Sequence, residues 1–260
     1  MPGPYRGPVE VEIASDGLRL RAHQARPPTA SRPLSGTVRG LVVCHGFPAG
    51  PRGAATTAET YPALADRLAA ETGWTVLVVN LRGTGGSEGD FSLGGWLTDL
   101  HRAVAHLGAQ DDVERVWLAG FGAGGALALC AAGEDETIGG VASFGAPADF
   151  EQWASDPRRA LDQARALNLV RSPAFPPSFD QWAREWHQIR PLSLVAKVPP
   201  RPVLLVHGSA DEVVPLMDAR ALADAAGGSV ELRTLAGAGE RLRHDPRAVA
   251  LLIGWLSRQE

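Results

Sequence analysis

The chain is poor in cysteine, almost without lysine, and has no long apolar run. Each scarcity closes off a class of function. Cys44 and Cys130 are its two cysteines, and neither sits in a C-x-x-C pair. That excludes a disulfide framework and a cysteine-built zinc or redox centre. No stretch of about 18 apolar residues occurs, so no membrane-spanning helix is expected. Lysine appears only at Lys197, and the 25 Lys and Arg together are outnumbered by 29 Asp and Glu. A formal net charge of -4 gives no basic field for nucleic acid or an anionic membrane. The opening MPGPYRGPVEVEIAS lacks the apolar segment of a signal peptide, which points to a soluble, cytoplasmic protein.

What remains is an ordinary globular composition, 45% hydrophobic and 21% charged. The 260 residues suit one large domain, taken here as 1–260, better than two. VEVEIASDGLRLRAH alternates apolar and polar residues around Asp16-Gly17, the signature of a hairpin with a type I′ turn. After a Pro/Ser/Gly-rich loop from Pro27 to Gly36 come six short apolar runs: VRGLVVCH, WTVLVVN, RVWLAG, GGVASFG, RPVLLVHG and SVELRTL. Such runs suit strands covered on both faces.

Helical patterns separate most of these runs. One has its stripe at Tyr61, Leu64, Ala65, Leu68 and Ala69, and another at Trp96, Leu97, Leu100, Val104 and Leu107. A third spans about Ala123 to Ala132. A fourth follows Pro215 and stops at Gly227-Gly228, and the last starts at Asp245-Pro246. Strands alternating with helices predict an α/β fold, a mostly parallel sheet with helices on both faces and the hairpin as its antiparallel edge. Between about 149 and 198 the alternation stops. That stretch is rich in aromatics (Phe150, Trp153, Phe175, Phe179, Trp182, Trp186) and reads as a helical insertion over the sheet's C-terminal edge. The aromatics either pack the insertion down or line an apolar pocket, with Trp182 and Trp186 as candidate binding residues.

Five Gly-rich segments follow strands in a fixed order: HGFPAG (45–50), NLRGTGGSEG (80–89), GFGAG (120–124), HGSADEVVP (207–215) and GAGERLRHDP (237–246). In this set the chain resembles the α/β-hydrolase fold family over essentially its whole length. The resemblance implies a strand–turn–helix elbow at Gly122 with positive φ. It also implies an oxyanion hole from the N–H groups of Phe47 and Ala123, with His45 beside it, and Asp211 as the triad acid. Gly120 and Gly124 would let strand and helix approach closely.

Two triad positions depart from the family. Gly122 stands where the nucleophilic serine belongs, and Glu240 stands where the histidine belongs. The expectation is a degenerate site that binds an acyl or carboxylate-bearing small molecule without serine-type hydrolysis. The alternative is an esterase-like hydrolase, or an acid/base enzyme in which Asp211 and Glu240 share a proton, with Asp149 as a further member. A Glu240 turned to solvent or paired with Arg241 or Arg243 would deny that pair. His244 is the one nearby imidazole that a register shift could aim at Asp211. His207 reads as a local hydrogen-bonding residue, both cysteines as core residues, and Glu88 with Asp90 as a solvated turn. Ser87, Thr84, Ser143 and Ser209 have no visible base. No pattern implies a metal or cofactor, and oligomeric state is not legible.

Overall fold

The structure, a computed structural model, describes residues 9–28, 36–48, 60–227 and 230–259. The opening segment, most of the Pro27–Gly36 loop, Ala49-Gly50 and Gly228 lie outside the described residues. Strands β1 (Val9–Ser15) and β2 (Leu18–Ala25) form the antiparallel hairpin with Ser15 opposite Leu18. Asp16 and Gly17 have φ of 49 and 79, the two positive values a type I′ turn needs. Then come β3 (Val38–Cys44), β4 (Thr75–Val79), β5 (Val113–Phe121), β6 (Val141–Phe144), β7 (Val203–Gly208) and β8 (Val230–Leu235). The sheet order is β1-β2-β4-β3-β5-β6-β7-β8, antiparallel at the β1–β2 and β2–β4 pairs and parallel from β4 onward.

Strands β4, β6 and β7 are buried at every position, because helices cover both faces. On one face α2 (Leu93–Gly108), α3 (Ala123–Glu134) and α8 (Leu216–Ala226) build a core with Trp96, Leu100, Leu127 and Leu222. On the other, α1 (Tyr61–Thr72) and α9 (Pro246–Leu256) build a second core with Leu64, Leu68, Leu252 and Trp255. Thr60, Ser92 and Asp245 cap α1, α2 and α9 by accepting from the N–H groups of Ala63, Gly95 and Arg247. Among the described residues no helix is long and apolar enough to cross a membrane.

Between β6 and β7 lie only helices: α4 (Glu151–Ala154), α5 (Pro157–Ala166), α6 (Phe179–Gln188) and α7 (Pro191–Val195). Three kinds of contact dock them. Trp186 joins Phe47, Phe91, Phe150, Trp153 and Trp182 in one aromatic cluster, with the Phe47 ring 6.2 Å from Trp153 and 6.5 Å from Trp186. Trp182 Nε1 donates to the Phe91 carbonyl at 3.1 Å. Asp90 Oδ1 accepts the N–H groups of Arg171 (2.6 Å) and Ser172 (3.1 Å), while the Glu185 carboxylate accepts the Gly94 N–H at 2.9 Å, at the start of α2.

Candidate active site

The apolar β5 ends at Phe121 and the alanine-rich α3 begins at Ala123, so Gly122 alone makes the turn. It has φ 56 and ψ -127, in the left-handed half of backbone space that glycine enters without strain. Its N–H donates to the Phe144 carbonyl at 2.8 Å, and its carbonyl accepts from Gly125 (2.9 Å) and Ala126 (3.1 Å). The expected elbow is present. A Cβ on Gly120 would collide with the Gly124 carbonyl, and one on Gly124 with that of His45, which is why both flanking positions are glycine. A Cβ on Gly122 itself would meet no atom within 4 Å. The turn is open on the side where a nucleophile would stand.

The segment His45–Phe47 presses against this elbow. A Cβ on Gly46 would lie 2.6 Å from the Phe121 carbonyl oxygen and 3.6 Å from the Ala123 nitrogen. Ala123 opens α3, where the first N–H groups have no intrahelical acceptor. Phe47 thus stands beside the elbow while its ring joins the aromatic cluster. His45 is held by three contacts: Nδ1 with the Gly46 carbonyl (2.8 Å), Nε2 accepting from the Leu81 N–H (3.2 Å), and Nε2 with Thr84 Oγ1 (3.1 Å). Burial holds its pKa below the usual value, against the opposing Gly46 bond and Asp99 charge. Both ring nitrogens are taken up by these contacts, so the ring braces the loop.

Asp211 follows β7. Its Oδ1 accepts the N–H groups of Val213 (2.9 Å) and Val214 (2.8 Å). Its Oδ2 is buried and has no hydrogen-bond partner. His207 Nε2 lies 3.6 Å from that oxygen but is 2.9 Å from the Val214 carbonyl, the local bond anticipated for it. A Cβ on Gly145 would sit 3.5 Å from Asp211 Oδ2. Gly145 directly follows Phe144, whose carbonyl takes the Gly122 N–H, so the carboxylate is one strand from the elbow.

The proton-sharing pair of Asp211 with Glu240 does not form. The Glu240 side chain is 47% exposed and pairs with Arg241 at 3.3 Å. Out there it keeps its hydration and a cation, whereas a place beside Asp211 would desolvate two anions together. Asp149 does not join an acid cluster either, because its Oδ1 accepts the Glu151 N–H (2.9 Å) at the start of α4. His244 lies in a short 3-10 turn, Leu242–His244, and its Nε2 takes a bond from Arg243 Nη2 at 2.7 Å. Arg243 is buried against the Tyr61 ring, its guanidinium 4.4 Å from the ring centre. Trp182 and Trp186 are 3% and 2% exposed, so both pack the insertion down. Trp186 Nε1 is a buried donor without a partner.

Among the remaining candidates, Ser87 is occupied by the Arg21 N–H and the Asn80 carbonyl, and Ser209 Oγ by the Gly237 N–H. Ser143 Oγ is buried and unbonded. Both cysteines are buried, which pushes their thiols well above the usual range. Glu88 pairs with Arg19 and Asp90 with the insertion, so the solvated-turn reading fails for Asp90. The described residues contain no cluster of three or more His, Cys, Asp or Glu suited to a metal.

One network escaped the sequence reading. Asp99, fully buried, accepts from Ser15 Oγ (2.6 Å), the Arg82 N–H (2.8 Å) and Arg82 Nη2 (2.7 Å), fixing the NLRG turn to the hairpin. Its place on the α2 stripe, between Trp96 and Leu100, was the available signal.

The sequence profile described as alpha/beta hydrolase fold matches residues 41–197. No curated protein sequence matches the chain. Among solved structures, Est1E from Butyrivibrio proteoclasticus with bound ferulic acid is 23% identical with TM-score 0.69, covering 95% of this chain and 96% of that one. The Pyrococcus furiosus esterase Pf2001 is 17% identical with TM-score 0.69, covering 100% and 96%. The α/β hydrolase GrgF from Penicillium sp. sh18 is 20% identical with TM-score 0.70, covering 98% and 99%. At these identities the likeness is one of fold.

Proposed function

The chain belongs to the alpha/beta hydrolase fold family, and from that premise we propose that it binds an acyl or carboxylate-bearing small molecule at the elbow without serine-type hydrolysis. The observation that carries this reading is Gly122: it turns from strand to helix at positive φ with its side open, and it has no hydroxyl. Glu240, at the histidine position, is paired with Arg241, so its carboxylate does not stand in for the imidazole. Backbone donors need no side chain. The N–H groups of Phe47 and Ala123 remain to receive a carboxylate or acyl oxygen, favoured by the α3 dipole. The aromatic cluster gives such a ligand an apolar neighbour, and ferulic acid, held by Est1E, is an aromatic carboxylate.

Two measurements test it. Short p-nitrophenyl esters should be hydrolysed no faster by this protein than by its Asp211→Ala variant, and a fluorophosphonate should label no residue. Stoichiometric labelling, or turnover lost on Asp211→Ala, would instead favour an esterase-like enzyme.

A further inference from the structure

We propose that Asp211 Oδ2 anchors a protonated nitrogen of the bound molecule, so that the ligand is an imidazolium- or ammonium-bearing compound. This rests on the reading above that the site binds rather than hydrolyses, and it names the second contact of that ligand. Asp211 is 1% exposed at its side chain, and Oδ1 is already taken by two backbone N–H groups. Oδ2 has no donor at all. A buried carboxylate oxygen without a donor is costly, and a charge-assisted N–H is its strongest available partner.

The chain's own candidates are committed elsewhere. His207 Nε2 is taken up by the Val214 carbonyl at 2.9 Å and stays 3.6 Å from Oδ2, beyond hydrogen-bond distance. Arg241 is paired with Glu240, Arg243 lies on Tyr61 and bonds His244, and Arg247 bonds Asp245 and the Ala236 carbonyl. Oδ2 lies beside Gly145, the residue after Phe144, whose carbonyl takes the Gly122 N–H at the elbow. A ligand lying along the strand ends thus meets backbone donors at Ala123 and an anion beside Gly145. That polarity selects a molecule with an oxygen acceptor at one end and a cationic nitrogen at the other.

The test uses the whole protein with imidazole and benzylamine as probes and benzyl alcohol as the neutral control. Binding is followed by ligand-observed NMR titration at pH 6 and at pH 8.5, where imidazolium is lost. Both cations should bind at pH 6, benzyl alcohol should not, and imidazole should weaken at pH 8.5. Asp211→Asn, with its fold checked by circular dichroism, should weaken benzylamine by about tenfold or more. If that variant does not fold, the parent alone decides: imidazole should weaken between pH 6 and pH 8.5, while benzylamine, a cation at both, should not. Equal binding of benzyl alcohol, benzylamine affinity unchanged in a folded Asp211→Asn, or imidazole binding that does not fall by pH 8.5 overturns the proposal. A parallel butyrate titration separates the two readings. Amine binding without butyrate binding sinks the acyl or carboxylate reading and spares this one, and butyrate binding without amine binding does the reverse.

Discussion

At Gly122 a missing hydroxyl and a retained backbone conformation coexist, which makes the residue a direct test of what the site has lost. Gly122→Ser together with Glu240→His should create measurable hydrolysis of a short activated ester, while neither single change should suffice. Serine without a base is a poor nucleophile, and an imidazole without serine has nothing to activate. The new Cβ meets no neighbour, so the cost is backbone strain of about 1–2 kcal/mol at a left-handed φ. Rates of the double variant, both singles and the parent decide it. A folded double variant no faster than the parent would mean that Glu240 does not occupy the histidine's position. Asp99 offers a structural counterpart. Asp99→Ala should lose about 3–5 kcal/mol in urea unfolding, because Arg82, largely buried, would keep only the exposed Asp16 as a carboxylate partner. The turn at Gly122 was legible because a Gly-x-Gly-x-Gly motif lies between an apolar run and an alanine-rich helix. What Glu240 points at was not, since an exposed side chain chooses between solvent and neighbours that only the fold assembles.

Where elements meet, the insertion is latched as well as packed. Glu185 on α6 reaches the start of α2. Burial pushes its carboxyl above the usual 4.5, opposed by the Gly94 and Leu93 N–H groups, the Ser92 hydroxyl and the Arg82 charge. A carboxyl raised in the folded state contributes its stability below the unfolded pKa and loses it as pH rises through the folded value. Glu185→Gln should therefore gain on the parent between pH 4 and pH 7, with thermal midpoints across that range as the measurement. A parent that gains on the variant over the same rise would show that the helix-start bonds outweigh burial. Element identity was largely readable. The six apolar runs became β3 to β8, and the Asp245 cap starts α9 where the pattern placed it. Latches such as Glu185 to Gly94 and Asp90 to Arg171 join residues far apart in sequence, and no local periodicity encodes them.

Across the whole molecule the sheet separates two cores, and the insertion belongs to only one of them: Trp182 and Trp186 pack with the α2 and α3 side. Trp186→Ala should cost about 3–5 kcal/mol. It should also make the α4–α7 segment the first site of limited proteolysis, ahead of any cut in β3 to β7. Cleavage starting in the sheet would show that the cluster does not hold the insertion down. The alternation of strands and helices implied a mostly parallel sheet with the hairpin at its edge, and packing of the insertion by its aromatics was one of two readings the sequence left open. A crowd of tryptophans in sequence says that something is covered, without saying what. The place where this segment joins the sheet carries an evolutionary consequence. β6 and β7 are parallel, with Val141 beside Val203 and Phe144 beside Val206, so the segment leaves at Phe144 and has to cross back to the other end of the sheet at Val203. Loop closure grows only with the logarithm of length, so a crossover about five times longer than the shortest costs about 1.4 kcal/mol more. Segments of very different size and character can therefore be exchanged between these two strands with the barrier to replacement set by Phe47, Phe91 and Trp96, which any newcomer has to shield from water.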